Sequence, residues 1–166
     1  MVQISMKNII LGLLTFVLLG IVYFGITNLN PKEMIEENEI VESNGISMTI
    51  HKSPYCGCCG MYGDEMTKLG YKVDTVLVDS MEEVKDEFKI PYELQSCHTT
   101  EVEGYVVEGH VPEEAIQKLL SEKPDIKGIG MAGMPSGSPG MPGPKEDFMI
   151  YEINHDGTKG DLFVKL

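Results

Sequence analysis

Three of the four cysteines of this chain fall within four residues, in the run Cys56-Gly57-Cys58-Cys59, and the fourth, Cys97, is followed directly by His98. A thiolate is both a nucleophile and a soft metal ligand. A cluster of this kind therefore favours one of two chemistries. The first is the binding of a soft metal ion such as Cu(I) or Zn(II), and the second is thiol–disulfide exchange.

The residues on either side of the cysteine run predict a strand, a turn and a helix. Residues 47–51 alternate between apolar and polar types, as expected of a strand. After the cysteines, Tyr62, Met66 and Leu69 recur at the spacing of one helix face, and Gly70 then ends the pattern. The cysteines are thus expected in a turn that leads into a helix.

The next segments continue an alternation of strands and helices. Residues 71–78 are β-branched and apolar, which predicts a buried strand. Residues 80–83 form a capping box that opens a second helix. Two short strands around Glu103-Gly104 predict a hairpin, and Pro112 then opens a third helix. The predicted fold class is α/β, in the order βαβ-α-ββα with a mixed sheet.

The last part of the chain has a different composition. Residues 128–144 contain six glycines, four prolines and three methionines, which argues against a regular helix or a central strand. This stretch is expected to be a long surface loop. Residues 148–153 and 161–166 flank an Asp-Gly turn and predict a C-terminal β-hairpin.

The N-terminus predicts a membrane segment. Residues 9–26 carry no charge, and at about 1.5 Å per residue they match the thickness of a bilayer core. Lys7 precedes the stretch and favours an N-terminus on the inner side. We expect residues 1–27 to be a single-pass membrane anchor, residues 28–46 an acidic linker, and residues 47–166 a domain on the extracytoplasmic face. A cleaved signal peptide is the alternative, and it would export the same domain.

The charge of the chain excludes several functions. The formal net charge is −13, and all 26 acidic residues lie after position 32. Binding of this domain to nucleic acid or to an anionic membrane surface is therefore not expected. The sequence also has no phosphate-binding loop, dinucleotide fingerprint or Ser-His-Asp arrangement, so a hydrolase or nucleotide enzyme has no support.

The predicted order of elements, with Cys-x-x-Cys after the first strand, resembles the thioredoxin fold. By this analogy, the loop that carries Cys97 faces the cysteine turn. Four motifs in order make the resemblance narrower and specific, and they are KSPYCGCCG at 52–60, ELQSCHT at 93–99, VEGHVP at 107–112 and GMPSGSPGM at 133–141. Together they resemble the CopG-type copper-resistance proteins, an extracytoplasmic, thioredoxin-like, metal-binding family long catalogued as a domain of unknown function. The resemblance covers residues 47–166.

The resemblance implies that copper is bound by thiolates, in one or more ions, in the service of copper tolerance. Its expected partners are copper ions and a copper exporter or chaperone. Thiolate and thioether ligands prefer Cu(I), whereas an imidazole would also let the site hold Cu(II). Zinc fits less well, because the first three cysteines are crowded and the methionine-rich loop has no role in a zinc site. The expected metal ligands are Cys56, Cys58, Cys59, Cys97, His98, His110, Met134 and Met141.

Two alternatives for the cysteines stay open at this stage. In the first, the chain is a thiol–disulfide oxidoreductase, in which Cys56 near a helix N-terminus attacks a disulfide and Cys59 resolves the intermediate. In the second, the four cysteines form two structural disulfides, since an exported domain allows oxidation and the count is even.

Overall fold

The computed structural model describes residues 45–166. The predicted membrane anchor, residues 1–27, and nearly all of the predicted acidic linker lie outside the described residues. Within residues 45–166, no helix combines the length and the apolar character that a membrane crossing requires.

The described residues form three helices and a seven-stranded mixed sheet. The elements are β1 Ser47–Lys52, α1 Gly57–Lys68, β2 Lys72–Leu77, α2 Met81–Glu87, β3 His98–Val102, β4 Tyr105–Glu108, α3 Glu113–Glu122, β5 Gly128–Gly130, β6 Met149–Ile153 and β7 Lys159–Lys165. The strand order in the sheet is β2-β1-β3-β4-β5-β6-β7. Strands β1 and β2 are parallel, as are β4 and β5, and the other neighbours are antiparallel. A short 3₁₀ turn, Tyr92–Leu94, precedes β3.

The apolar periodicity seen in the sequence builds the core. Met48 and Ile50 alternate along β1 and are fully buried, and Tyr62 and Met66 on α1 are buried in the same cluster. Burial of such side chains provides the main driving force for the fold. Leu69 follows the end of α1 and is more exposed than the helical pattern predicts.

The predicted cap at Ser80 and the predicted turn at Glu103-Gly104 are confirmed, and Pro112 is the residue just before α3. The Ser80 hydroxyl accepts a hydrogen bond from the Glu83 backbone N–H at 3.2 Å and so caps α2. Glu103 and Gly104 both have positive φ in the turn between β3 and β4. The predicted order βαβ-α-ββα and the mixed sheet are confirmed, and the C-terminal hairpin of β6 and β7 is also present.

The strand predicted at residues 71–78 is present as β2, but the prediction that it is buried is wrong. Strand β2 forms an edge of the sheet and pairs with β1. Val76 and Leu77 are 40% and 61% exposed. A β-branched, apolar run suits an edge strand as well as a buried one, because strand propensity does not specify how many neighbours the strand has.

The prediction that residues 128–144 contain no central strand is also wrong. Strand β5 is buried and lies between β4 and β6. A Cβ atom at Gly128 would lie 1.8 Å from the Val106 carbonyl oxygen, so only glycine allows this backbone approach. The rest of the stretch, residues 131–144, is irregular as predicted.

Strand β5 connects the hairpin to the core, and this gives a prediction about stability. Ile129 on β5 is fully buried. We expect Ile129→Ala to lower the free energy of unfolding by about 2–5 kcal/mol, since it removes buried apolar surface and leaves a cavity. Urea denaturation measures this loss. The control Val76→Ala, at the exposed edge, should change stability by less than about 0.5 kcal/mol, and equal losses in the two variants would contradict the assignment.

Candidate metal centre

The turn between β1 and α1 presents the three clustered cysteines. The Cys56 N–H donates to the Ser53 carbonyl at 3.1 Å, and Cys56 is the extended N-cap residue of α1. Cys58 and Cys59 therefore lie in the first helical turn. Cys59 is fully buried, whereas Cys56 and Cys58 are partly exposed. The cysteine run therefore lies at the N-terminal end of α1.

Two of the clustered cysteines are bonded to each other. Cys56 and Cys59 form a disulfide with Cα atoms 5.5 Å apart, while Cys58 and Cys97 are free thiols. The alternative of two structural disulfides is therefore wrong for this structure, which has one. The Cys58 Sγ lies 3.5 Å from the Cys56 Sγ.

Cys97 lies beside the cysteine turn, where the sequence resemblance placed it. Lys52 at the end of β1 pairs with His98 at the start of β3. The residues that follow β1 and those that precede β3 therefore meet at the same end of these two strands. The Cys59 Sγ lies 3.8 Å from the Cys97 carbonyl oxygen. The Sγ atoms of Cys56, Cys58, Cys59 and Cys97 all lie within 4.8 Å of one another. The structure thus brings together the four sulfurs that the sequence indicated.

Two buried histidines complete a second group with Cys97. His98 and His110 are both fully buried, and their ring atoms lie within 4.8 Å of each other and of the Cys97 sulfur. The His110 Nδ1–H donates to the Pro139 carbonyl at 2.7 Å, which leaves the Nε2 lone pair 3.1 Å from the Cys97 Sγ. The His98 Nδ1 lies 3.6 Å from the same sulfur. Both imidazoles therefore lie beside the cysteine cluster, as predicted candidates for the site.

Burial sets the charge of this group. It lowers the pKa of His98 to about 3, with a further contribution from His110, and it also lowers the pKa of His110, against the effect of the Pro139 carbonyl. Burial likewise raises the pKa of the Cys97 thiol to about 11, helped by Cys58. Both histidines are neutral at pH 7 and Cys97 is protonated. A soft cation that binds Cys97 must displace its proton.

The loop methionines take different positions. The Met134 Sδ lies 3.9 Å from the Cys58 Sγ, and the side chain is half exposed. Met141 lines a surface cavity of about 620 Å³ beside α1, together with Met61 and Asp64. Met131 is buried in the core. Of the two methionines predicted as ligands, the structure brings Met134 to the cysteines and places Met141 on this neighbouring cavity.

The loop that carries these methionines packs directly on the first turn of α1. Gly140 has a φ of +76°, and a Cβ atom there would lie 2.7 Å from the Tyr62 backbone nitrogen and 2.9 Å from the Cys58 carbonyl oxygen. The Gly140 N–H also donates to the Glu65 carboxylate at 2.8 Å. The loop therefore lies over the cysteine turn, and glycine is required for this contact.

Sequence reasoning missed three residues next to the site. The Tyr62 ring packs against His98 and His110, with centroids at 4.5 and 5.6 Å, and its hydroxyl donates to the Val111 carbonyl at 3.1 Å. Lys85 and Glu108 form a buried ion pair behind Cys97. The available signal was Glu108 itself, a charged residue that ends an apolar strand two positions before His110.

The fold and the site together define a class of protein. A mixed α/β domain that places three cysteines at a helix N-terminus, opposite a Cys-His pair, provides a compact set of soft ligands in a partly buried pocket. The protein is therefore an α/β domain with a cysteine-rich site of the kind that binds a soft metal ion or carries out thiol redox chemistry.

The comparisons with known proteins identify the family. The profile of a protein family of unknown function, DUF411, matches residues 94–141. Two solved structures are similar, the copper resistance protein CopG in form 2 and in form 1, with TM-scores of 0.68 and 0.67 and 31% sequence identity in each case. The similarity covers 74% of this chain and 99% and 98% of those chains. No curated protein matches the chain in sequence. The chain belongs to the CopG-type copper-resistance family, and its cysteine cluster fits copper binding.

The close contact at Gly140 gives a prediction about the loop. Both Gly140 and Gly133 have positive φ, but only at Gly140 would an added Cβ atom clash with backbone atoms. Gly140→Ala should therefore destabilise the protein by more than Gly133→Ala. The shared backbone strain costs about 1–3 kcal/mol, and the difference between the variants reports the contact with α1. Thermal unfolding of both variants measures this difference. Equal melting temperatures would show that the loop does not need this approach.

Proposed function

We propose that this protein is an extracytoplasmic copper-binding protein of copper resistance and homeostasis, and that it holds Cu(I) on the thiolates of Cys56, Cys58, Cys59 and Cys97. The observation that carries the proposal is the convergence of the four sulfurs within 4.8 Å. Cu(I) prefers such soft donors. Membership of the CopG-type family supports copper over zinc, since the similar solved structures are copper resistance proteins.

The domain that holds the copper is thioredoxin-like in this proposal. Its first four strands lie in the order β2-β1-β3-β4 with β1 and β2 parallel, and the cysteine turn follows β1. The proposed organisation is a membrane anchor at residues 1–27 with its N-terminus inside, an acidic linker at residues 28–46 and the domain at residues 47–166. The uncharged stretch at residues 9–26 and the preceding Lys7 support the anchor.

Two-electron reduction of the Cys56–Cys59 disulfide by an external dithiol, which is oxidised to its own disulfide, makes the full ligand set available. While this bond is intact, two thiols remain, those of Cys58 and Cys97. Reduction gives four thiols at short spacing, which lose their protons when they bind copper. This spacing suits more than one copper ion, with Cys58 bridging between ions. His110 and His98 add nitrogen donors beside Cys97, and they would let the centre pass between Cu(I) and Cu(II).

The exposed side of the centre is the proposed route for copper. Met134 lies next to Cys58 at the surface and supplies a thioether that exchanges Cu(I) readily. Met141 is the second methionine of the proposed capture loop. A copper exporter or chaperone is the proposed partner for delivery or removal.

A second candidate function is thiol–disulfide exchange by Cys56 and Cys59. The disulfide itself favours it, because the pair spans the N-terminus of α1, where a thiolate is stabilised. The two free thiols within 4.8 Å count against it. They would compete with Cys59 for any mixed disulfide formed at Cys56.

A competition titration tests the copper proposal. The anaerobically reduced protein is titrated with Cu(I) against a chromophoric chelator, and bound equivalents per chain are counted. We expect tight binding of at least one equivalent. If the chelator retains all the copper, the copper proposal fails and thiol exchange becomes the leading function.

The state of the disulfide should control this binding. We expect protein with an intact Cys56–Cys59 bond to bind fewer Cu(I) equivalents than the reduced protein, because two of the four thiolates are lost. The same titration on both forms, with free thiols counted by alkylation, measures the effect. Equal binding by both forms would mean that Cys56 and Cys59 are not ligands.

Substitution of Cys58 tests its bridging role. Cys58→Ser should lower the number of Cu(I) ions bound per chain, since a bridging sulfur that is lost removes a shared ligand from two ions. Metal analysis of the loaded variant measures this number. An unchanged copper count would remove the bridging role.

The methionines of the loop give a separate prediction. Met134→Leu combined with Met141→Leu should weaken Cu(I) affinity and slow Cu(I) exchange, because leucine keeps the shape but removes the thioether. Met131→Leu, in the core, is the matched control. If affinity and exchange rate match the wild type, the loop is purely structural.

A further inference from the structure

A carboxylate is buried directly behind the proposed copper centre. Glu108 ends β4 and is fully buried. One of its oxygens accepts hydrogen bonds from the Lys85 ammonium group and from the Ser96 backbone N–H, the latter at 2.6 Å. Its other oxygen accepts from the Thr99 hydroxyl at 2.6 Å. The carboxylate is therefore fully engaged with three donors.

These donors surround the segment that carries Cys97. Ser96 precedes Cys97 in the chain, Thr99 follows His98, and Lys85 comes from α2. Glu108 itself lies two residues before His110 and pairs in register with Thr99. The Glu108 carboxylate thus connects the backbone around Cys97 to the backbone that leads to His110. We call this connection, between residues 96–99 and the end of β4, the junction.

The neighbouring contacts make this junction tight. The Gly109 N–H donates to the His98 carbonyl at 3.1 Å. A Cβ atom at Gly109, which has a φ of +82°, would lie 2.6 Å from the Met131 carbonyl oxygen and 2.8 Å from the Ser96 Cβ. The Ser96 hydroxyl donates to the Gly133 carbonyl at 2.6 Å and so also connects the junction to the methionine loop.

The Glu108 carboxyl and the Lys85 ammonium group lie in a place where charge is costly. Burial raises the pKa of the Glu108 carboxyl, and Lys85, Thr99 and the Ser96 N–H act in the opposite direction. A buried ion pair is weak support for stability, because desolvation offsets much of its attraction. Stability therefore does not account for the position of this pair next to the cysteine cluster, whereas its hydrogen bonds to the segment that carries Cys97 do.

We propose that Glu108 is a positioning residue of the copper centre, which holds the Cys97 sulfur and the His110 imidazole 3.1 Å apart by fixing the Ser96-Cys97-His98 corner against β4. The proposal rests on the proposed function for its relevance to copper. Groups that hydrogen-bond to metal ligands, or to the backbone that holds them, commonly affect metal affinity without contacting the metal.

The first test needs no copper and uses Cys58 as an internal reference. In the disulfide-intact protein only Cys58 and Cys97 are free. Glu108→Gln weakens the hydrogen-bond acceptor and leaves the Lys85 ammonium group without its negative partner. The Ser96-Cys97-His98 segment should then detach from β4 more often, and the alkylation of Cys97 should accelerate by about tenfold or more. Mass spectrometry of the alkylated peptides measures both rates, and Cys58 should keep its wild-type rate. An unchanged Cys97 rate, or an equal acceleration at both cysteines, overturns the proposal.

The second test measures copper in the reduced protein. Glu108→Gln should weaken Cu(I) affinity by about 10–100-fold, and this loss should largely vanish in a Cys97→Ser background, since both changes act through one ligand. Glu101→Gln is the matched control, because Glu101 lies on β3 but faces solvent and His51. Equal losses with and without Cys97 overturn the proposal. If wild-type protein binds no Cu(I), the proposed function fails, and the alkylation result still decides the positioning role.

A paired variant covers the case in which Glu108→Gln does not fold. Lys85→Met with Glu108→Gln removes both buried charges together, which avoids an unpaired ammonium group. With native circular dichroism restored, Cys97 should again react faster than in wild type while Cys58 does not. A Cys97 that stays at the wild-type rate in this folded variant overturns the proposal.

Discussion

The site depends on the register between β1 and its antiparallel neighbour β3. Lys52, the last residue of β1, pairs with His98, the first residue of β3. The segment that follows β1 and the segment that precedes β3 thus lie at the same end of these two neighbouring strands. The first supplies Cys56, Cys58 and Cys59, and the second supplies Cys97. A shift of one residue in this pairing would turn each side chain of β3 to the opposite face of the sheet. The grouping of the four cysteines therefore depends on the register between β1 and β3.

The same constraint extends to the histidines and the loop. Strand β4 pairs with β3 so that Glu108 lies opposite Thr99, and the chain then turns through Gly109 to place His110 beside Cys97. Tyr62 from α1 fills the space behind both imidazoles. The resulting pocket holds neutral nitrogen donors and protonated sulfur away from most of the solvent, with Cys58 and Met134 at its open side. Such a pocket favours soft cations over hard ones.

Local patterns in the sequence predicted the elements that such patterns determine. The helix face with Tyr62 and Met66, the cap at Ser80 and the hairpin at Glu103 and Gly104 follow from periodicity and from turn chemistry within a few residues. The grouping of Cys97 with the clustered cysteines rested on resemblance to a family with this order of elements. Spacing alone does not bring residues about forty positions apart together.

The features that sequence reasoning missed depend on non-local contacts. Strand β5 begins with Gly128 because the backbone there approaches Val106 of β4 too closely for a side chain. A glycine-rich sequence by itself favours a loop. The exposure of β2 depends on which strand occupies the edge of the sheet. The pairing of Glu108 with Lys85 joins α2 to β4, and each charge considered alone would be assigned to the surface.

In the proposed copper centre, the four cysteine sulfurs bind copper together. X-ray absorption at the copper edge, on the anaerobically reduced protein loaded with Cu(I), is the direct test. We expect a Cu(I) edge with a first shell dominated by sulfur, and a loss of sulfur neighbours in Cys97→Ser. A first shell of nitrogen and oxygen, or a sulfur shell that Cys97→Ser leaves unchanged, would contradict it.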